Sequence, residues 1–130
     1  MARALEVIGD RWTLLVVREL LFGGARYGEL ERALPGIPSN LLADRLRLLE
    51  IEGIACRGGG DRAYRLTPKG RDLAPVLASL ATWGLRHYAE PSSATALHAG
   101  CGGRVQTRST CSRCGSIVTA NDLDLRGARR

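Results

Sequence analysis

The chain has 130 residues, 45% of them hydrophobic, and carries 19 Lys and Arg against 13 Asp and Glu, a formal net charge of +6. That length builds one domain of ordinary size with room for a small appendage. No apolar run approaches the roughly 18 residues of a membrane span, and the N-terminus lacks the charged-then-apolar layout of a signal peptide. Membrane and export classes are therefore set aside, and a cytoplasmic location is expected.

Residues 2–8 (ARALEVI) suit a short helix interrupted by Gly9, with Asp10 placed as N-cap of the next one. Residues 11–22 (RWTLLVVRELLF) are apolar nearly all round, which predicts a helix enclosed by the core and ended by Gly23-Gly24. A shorter amphipathic segment follows, carrying Tyr27, Leu30, Ala33 and Leu34, and stops at Pro35-Gly36. In the next helix, within 37–53, Leu42, Leu46 and Leu49 share one stripe while Asn40, Ala43, Asp44 and Arg47 lie opposite. Helix, Gly-containing turn, helix is the plan of a helix-turn-helix, whose second helix enters the DNA major groove. Taken alone, two such helices fit an ordinary packed pair equally well.

The period changes after Gly53. Ile54 to Arg57 is strand-like, Gly58-Gly59-Gly60-Asp61 is a turn, and Arg62 to Leu66 alternates polar and apolar. A recognition helix followed by a basic hairpin makes a winged helix. The triple glycine lacks the Lys-Ser/Thr of a nucleotide loop and opens no helix. Thr67-Pro68 then caps a helix with an apolar stripe of Leu73, Val76, Leu77, Leu80, Gly84 and Tyr88, widened by Trp83 and Leu85, out to Ala89. At ~1.5 Å per residue this helix is longer than a winged-helix core requires, and its surplus apolar surface predicts a dimer.

The run ALEVIGDRWTLLVVRELLFGGARYGELERALPGIPSNLLADRLRLLEIEGI, the Tyr64-Arg65-Leu66-Thr67-Pro68-Lys69-Gly70 after the wing and the Ala-Thr-Trp-Gly at 81–84 resemble the HxlR-type winged-helix regulators. The resemblance spans residues 4–89. It implies a bacterial homodimer that binds inverted-repeat operators and joins through its first and last helices, here residues 2–8 and 68–89. A small-molecule effector is also compatible with it. Several members sense electrophiles through a cysteine just before the first helix. Here no cysteine precedes Cys56, so either the chain is shortened or it does not sense through that thiol. Cys56 itself reads as a small hydrophobe of the first wing strand.

From Pro91 the composition shifts to a linker (PSSATA), and residues 91–130 hold 6 basic and 2 acidic side chains. His98-Ala99-Gly100-Cys101-Gly102 and Cys111-Ser112-Arg113-Cys114-Gly115 share the form ligand-x2-Cys-Gly. Two donors three apart can grip one metal from a tight turn, and an intracellular setting disfavours a disulfide. Gly103 to Thr110 and Ile117 to Ala120 are expected to be strands. The layout is that of a minimal zinc ribbon with His98, Cys101, Cys111 and Cys114 as ligands. Four protein ligands close a zinc site, so it would be structural rather than catalytic. The other histidine, His87, reads as a cap or a solvent-facing residue.

The expected architecture is mainly α with a small β-hairpin wing: a winged helix-turn-helix over 1–90, a linker at 91–97, a zinc-ribbon-like segment at 98–125 and a basic tail at 126–130. No Ser-His-Asp triad, carboxylate pair or phosphate loop points to an enzyme. A dimeric regulator on double-stranded DNA would read base edges with Asn40, Asp44 and Arg47, with Ala43 on the same face. Ser39, Arg57, Arg62 and Arg65 would hold phosphates. The competing reading makes the winged helix and ribbon a protein-docking module.

Overall fold

A computed structural model describes residues 1–88 and 95–126. The linker expected at 91–97 falls partly outside these residues, as do Ala89, where the last helix was expected to end, and most of the basic tail. Packing divides the chain into two units, Met1–Leu77 and Ala78–Arg130. Among the described residues no helix is long and apolar enough to cross a membrane.

In the first unit, α1 (Ala2–Ile8) is followed by α2 (Arg11–Leu21). The Asp10 carboxylate caps α2, accepting from the amides of Trp12 at 3.0 Å and Thr13 at 3.1 Å and from the Thr13 hydroxyl. These bonds satisfy amides that the first turn leaves without partners. Burial raises the Asp10 pKa, but the Thr13 hydrogen bonds and the nearby Arg45 outweigh it and hold the carboxyl below its ordinary value. Only one face of α2 is enclosed. Thr13, Val16, Val17 and Leu20 are buried, whereas Leu21 and Phe22 are exposed, contrary to the all-round burial that the sequence predicts. The helix packs against its neighbours along the 13, 16, 17, 20 stripe, and residues off that stripe meet no second layer.

The helices α3 (Tyr27–Ala33) and α4 (Ser39–Ile51) flank a turn in which Gly36 adopts φ +89°, a conformation that a side chain would strain. Strands β1 (Ala55–Arg57) and β2 (Tyr64–Leu66) pair antiparallel with Ala55 opposite Leu66 and Arg57 opposite Tyr64. The second arm is shorter than the alternation from Arg62 suggests, because Arg62 sits at φ +57° and belongs to the turn. Ala25 adds a bridge on the free edge of β2, exchanging backbone bonds of 3.0 and 2.8 Å with Tyr64. Leu30, Leu34, Ile37, Leu42, Leu46, Leu49, Ile54, Tyr64 and Leu66 join the α2 residues in one core.

The single long helix expected after Thr67 is two helices, α5 (Pro68–Arg71) and α6 (Ala74–Tyr88). Thr67 does cap the first, its hydroxyl accepting from the Gly70 amide at 3.2 Å. Pro75 accounts for the break: without an N–H it cannot bond back to the Arg71 carbonyl, and proline is comfortable only in a first turn. Leu73 and Leu77 pack against the core. Further along α6, Val76, Leu80 and Trp83 are exposed at spacing i, i+4, i+7, and Trp83 lies with its ring centroid 5.3 Å from those of His87 and Tyr88.

In the second unit, residues 95–126 form two tight turns, each closed by one antiparallel bridge, Leu97 with Arg104 and Thr110 with Ile117. The strands expected at 103–110 and 117–120 are reduced to these bridges. Between Arg104 and Thr110 the only aliphatic side chain is Val105, so an extended strand there would have no apolar face to bury.

Candidate nucleic-acid interface

The reading helix is fixed from beneath and from its N-terminal end. Leu42, Leu46 and Leu49 are each at most 1% exposed, so the phase of α4 about its axis is set by the core. The Tyr27 hydroxyl donates to the Ser39 carbonyl at 2.6 Å, and the Ser39 hydroxyl donates to Glu31 of α3. Lys69 donates to the Glu52 carbonyl at 2.6 Å, placing a cation where the dipole of α4 is negative.

With that phase, Asn40, Asp44 and Arg47 are exposed and Ala43 is half-buried beside them. Arg47 and Asp44 lie 3.6 Å apart with side chains 71% and 60% exposed, an open pair worth little to stability. From Asn40 to Arg47 is about 10 Å along the axis, roughly three base-pair steps. Ser39 is exposed at the helix start, but its hydroxyl proton is already given to Glu31, so a phosphate would have to displace that contact.

The three wing arginines differ. Arg57 stacks over the Tyr64 ring, 5.3 Å from its centroid. Arg62 is exposed in the turn. Arg65 is engaged by Asp61 in an ion pair and donates to the Gly58 carbonyl at 3.2 Å. The Arg65 hydrogen bond holds the Asp61 carboxyl well below the usual carboxylate range. Arg65 thus shapes the wing, leaving Arg57 and Arg62 as its freer cations. Cys56, opposite Arg65, is exposed rather than packed as a small hydrophobe.

Sequence reasoning missed two residues of this surface. Arg26 donates to the Asp61 carbonyl at 2.9 Å and so ties the start of α3 to the wing. Arg45 reaches Asp10 at 3.4 Å and joins α4 to the cap of α2, its Nε buried without a partner. Neither lies in a motif; an arginine flanked by apolar helix positions, as Arg45 is, was the available hint.

In the second unit the Nδ1 of His98 lies 3.2 Å from the Sγ of Cys101, and the thiols of Cys111 and Cys114 are hydrogen-bonded to each other. Among the described residues no three His, Cys, Asp or Glu side chains are gathered about one point, so the expected ligands stand as two pairs. His87 is exposed. Between the C-terminal half of α6 and residues 95–108 runs a groove of about 500 Å³ with Leu85, Val105, Arg86, Arg104 and Arg108 among its walls.

Residues 7–92 match the family described as HxlR-like helix-turn-helix. The HTH-type transcriptional regulator Rv3095 of Mycobacterium tuberculosis is 39% identical over 130 residues, 95% of this chain and 82% of its own length. The HTH-type regulator YvaP of Bacillus subtilis is 36% identical over 95 residues, covering 69% of this chain and 87% of its own. Among solved structures, the candidate transcription factor PA1607 superposes with a TM-score of 0.81 at 34% identity, covering 99% of this chain and 93% of its own. Quinone-bound YodB from B. subtilis gives 0.61 at 32% identity, covering 66% of this chain and 96% of its own. A family match over most of the winged helix, with named regulators alike in sequence and in fold, makes this chain a member of the HxlR-like helix-turn-helix family of DNA-binding transcriptional regulators.

Proposed function

We propose that the protein is a cytoplasmic, sequence-specific repressor that binds inverted-repeat operators as a homodimer, with Asn40, Ala43, Asp44 and Arg47 at the base edges. Arg57 and Arg62 hold phosphates beside it, and Ser39 and Arg65 join them once released from Glu31 and Asp61. The observation that carries the reading is α4: a core-locked leucine stripe that leaves amide, carboxylate and guanidinium groups at 40, 44 and 47 facing outward. A two-fold dimer presents that face twice, matching a two-fold operator, and a protein seated on promoter DNA excludes polymerase.

Exposed Val76, Leu80 and Trp83 on α6 supply an apolar face that a second copy would cover. Quinone-bound YodB shows that a relative takes up a small molecule, and an effector of this protein would act by shifting the geometry of the dimer. The test is salt dependence on duplex DNA. Phosphate contacts predict log affinity falling linearly with log salt, with a slope of about −0.9 per phosphate neutralised. Affinity that ignores salt would favour the protein-docking reading.

A further inference from the structure

The two cysteine-bearing turns are built to one pattern. With His98 and Cys111 each taken as the first position, the fifth residue's amide donates to the first residue's carbonyl in both, Gly102 to His98 and Gly115 to Cys111, at 2.8 Å. The first residue's amide donates to the sixth residue's carbonyl in both, His98 to Gly103 at 2.8 Å and Cys111 to Ser116 at 2.9 Å. A third pair of bonds closes each hairpin, Val105 to Ala96 and Val118 to Ser109, both at 2.8 Å. Gly102 and Gly115 adopt φ of +70° and +73°. The sequences share only the Cys, the Gly that follows it and the closing Val at equivalent places. Backbone and donor positions are thus duplicated where sequence mostly is not, which indicates that the donors are what the turns serve.

Each hairpin offers two soft donors at its tip. Two ligands of a tetrahedral zinc at ordinary Zn–N and Zn–S lengths stand ~3.6 Å apart. His98 Nδ1 and Cys101 Sγ, at 3.2 Å, are within a few tenths of an ångström of that bite. All four cysteines of the chain are free thiols. Among the described residues of 95–126 none is buried, with Leu97, Ile117, Leu123 and Leu125 all at least 50% exposed. Hairpins of one bridge each, with no core, are at best marginal in water, and segments of this size take their stability from a staple or a metal.

We propose that His98, Cys101, Cys111 and Cys114 bind one Zn²⁺ per chain, each hairpin contributing one two-donor bite, and that closure of the two pairs on the ion orders residues 95–126. Binding releases the three thiol protons and takes the imidazole neutral, giving a four-ligand structural site with no open position.

The test uses the full-length protein purified without chelator. Elemental analysis should give about one zinc per chain, and replacement by Co²⁺ should produce the strong visible bands of tetrahedral thiolate ligation. Cys101→Ser and Cys114→Ser should each lose the metal and expose residues 95–126 to proteolysis and amide exchange, while the helical circular dichroism of the winged helix persists. Cys56→Ser should keep the metal. Absence of zinc together with no cobalt bands in protein whose thiols are reduced would overturn the proposal. So would half a zinc per chain, which would place the ion between two copies, or loss of metal in Cys56→Ser. None of these readouts involves DNA, so they stand or fall apart from the operator-binding proposal.

Discussion

Arg47 is the residue on which operator reading turns most directly. Its guanidinium is held only by an open pair with Asp44, so it can leave that partner for a guanine or a phosphate at little cost. Arg47→Ala should weaken binding to a selected operator duplex by about 1–3 kcal/mol if the side chain reads a base. Leu46, one residue away and 1% exposed, separates the reading face from the fold. Leu46→Ala should cost about 2–5 kcal/mol of stability in chemical denaturation, through the cavity it leaves. Unchanged affinity in folded Arg47→Ala would mean that another face of α4 meets the DNA. Asp10 shows the pH side of the same economy. Its carboxyl titrates below the ordinary value, so its contribution to stability is present above the unfolded-chain value of about 3.9 and is lost as pH falls through the folded one.

At the scale of elements, α6 decides assembly. Leu77 belongs with the core, whereas Val76, Leu80 and Trp83 form an exposed stripe. Leu80→Glu should therefore dissociate the dimer and weaken operator binding together, without unfolding the winged helix. Light scattering and thermal denaturation of the same sample check both halves, and a variant that remained dimeric would take α6 out of the interface. The elements legible in the sequence were those with a strong local cause. The leucine stripe of α4, the caps at Asp10 and Thr67 and the glycine-rich wing turn each follow from residues within one turn of the chain. The break between α5 and α6 was written in Pro75 but masked by an apolar stripe that continues across it. The Ala25 bridge has no local sequence cause, since it exists only because Tyr64 arrives beside it. The strands expected between the cysteine turns were read from spacing, and they fail for want of apolar side chains between Arg104 and Thr110. Within the candidate site, the outward face of α4 was legible because its inward face was. The engagement of Ser39 by Glu31 and of Arg65 by Asp61 depended on partners that periodicity cannot place.

For the whole molecule, the winged helix supplies the family membership and the segment beyond it supplies much of the charge. Rv3095 and PA1607 align over nearly all of this chain, whereas YvaP and YodB align over about two thirds of it, so the family includes chains with and without a counterpart to this tail. The tail's net excess of arginine adds phosphate attraction that carries no sequence information by itself, while α4 carries the base-reading groups. Two copies of α4 related by a two-fold axis should read half-sites about 34–36 Å apart, one turn of duplex, or a multiple of that. The most direct measurement is selection of DNA fragments from random or genomic pools by the purified protein, followed by sequencing. The account predicts an enriched inverted repeat with that spacing between half-sites; a flat profile, with no sequence enriched over the starting pool, would contradict it.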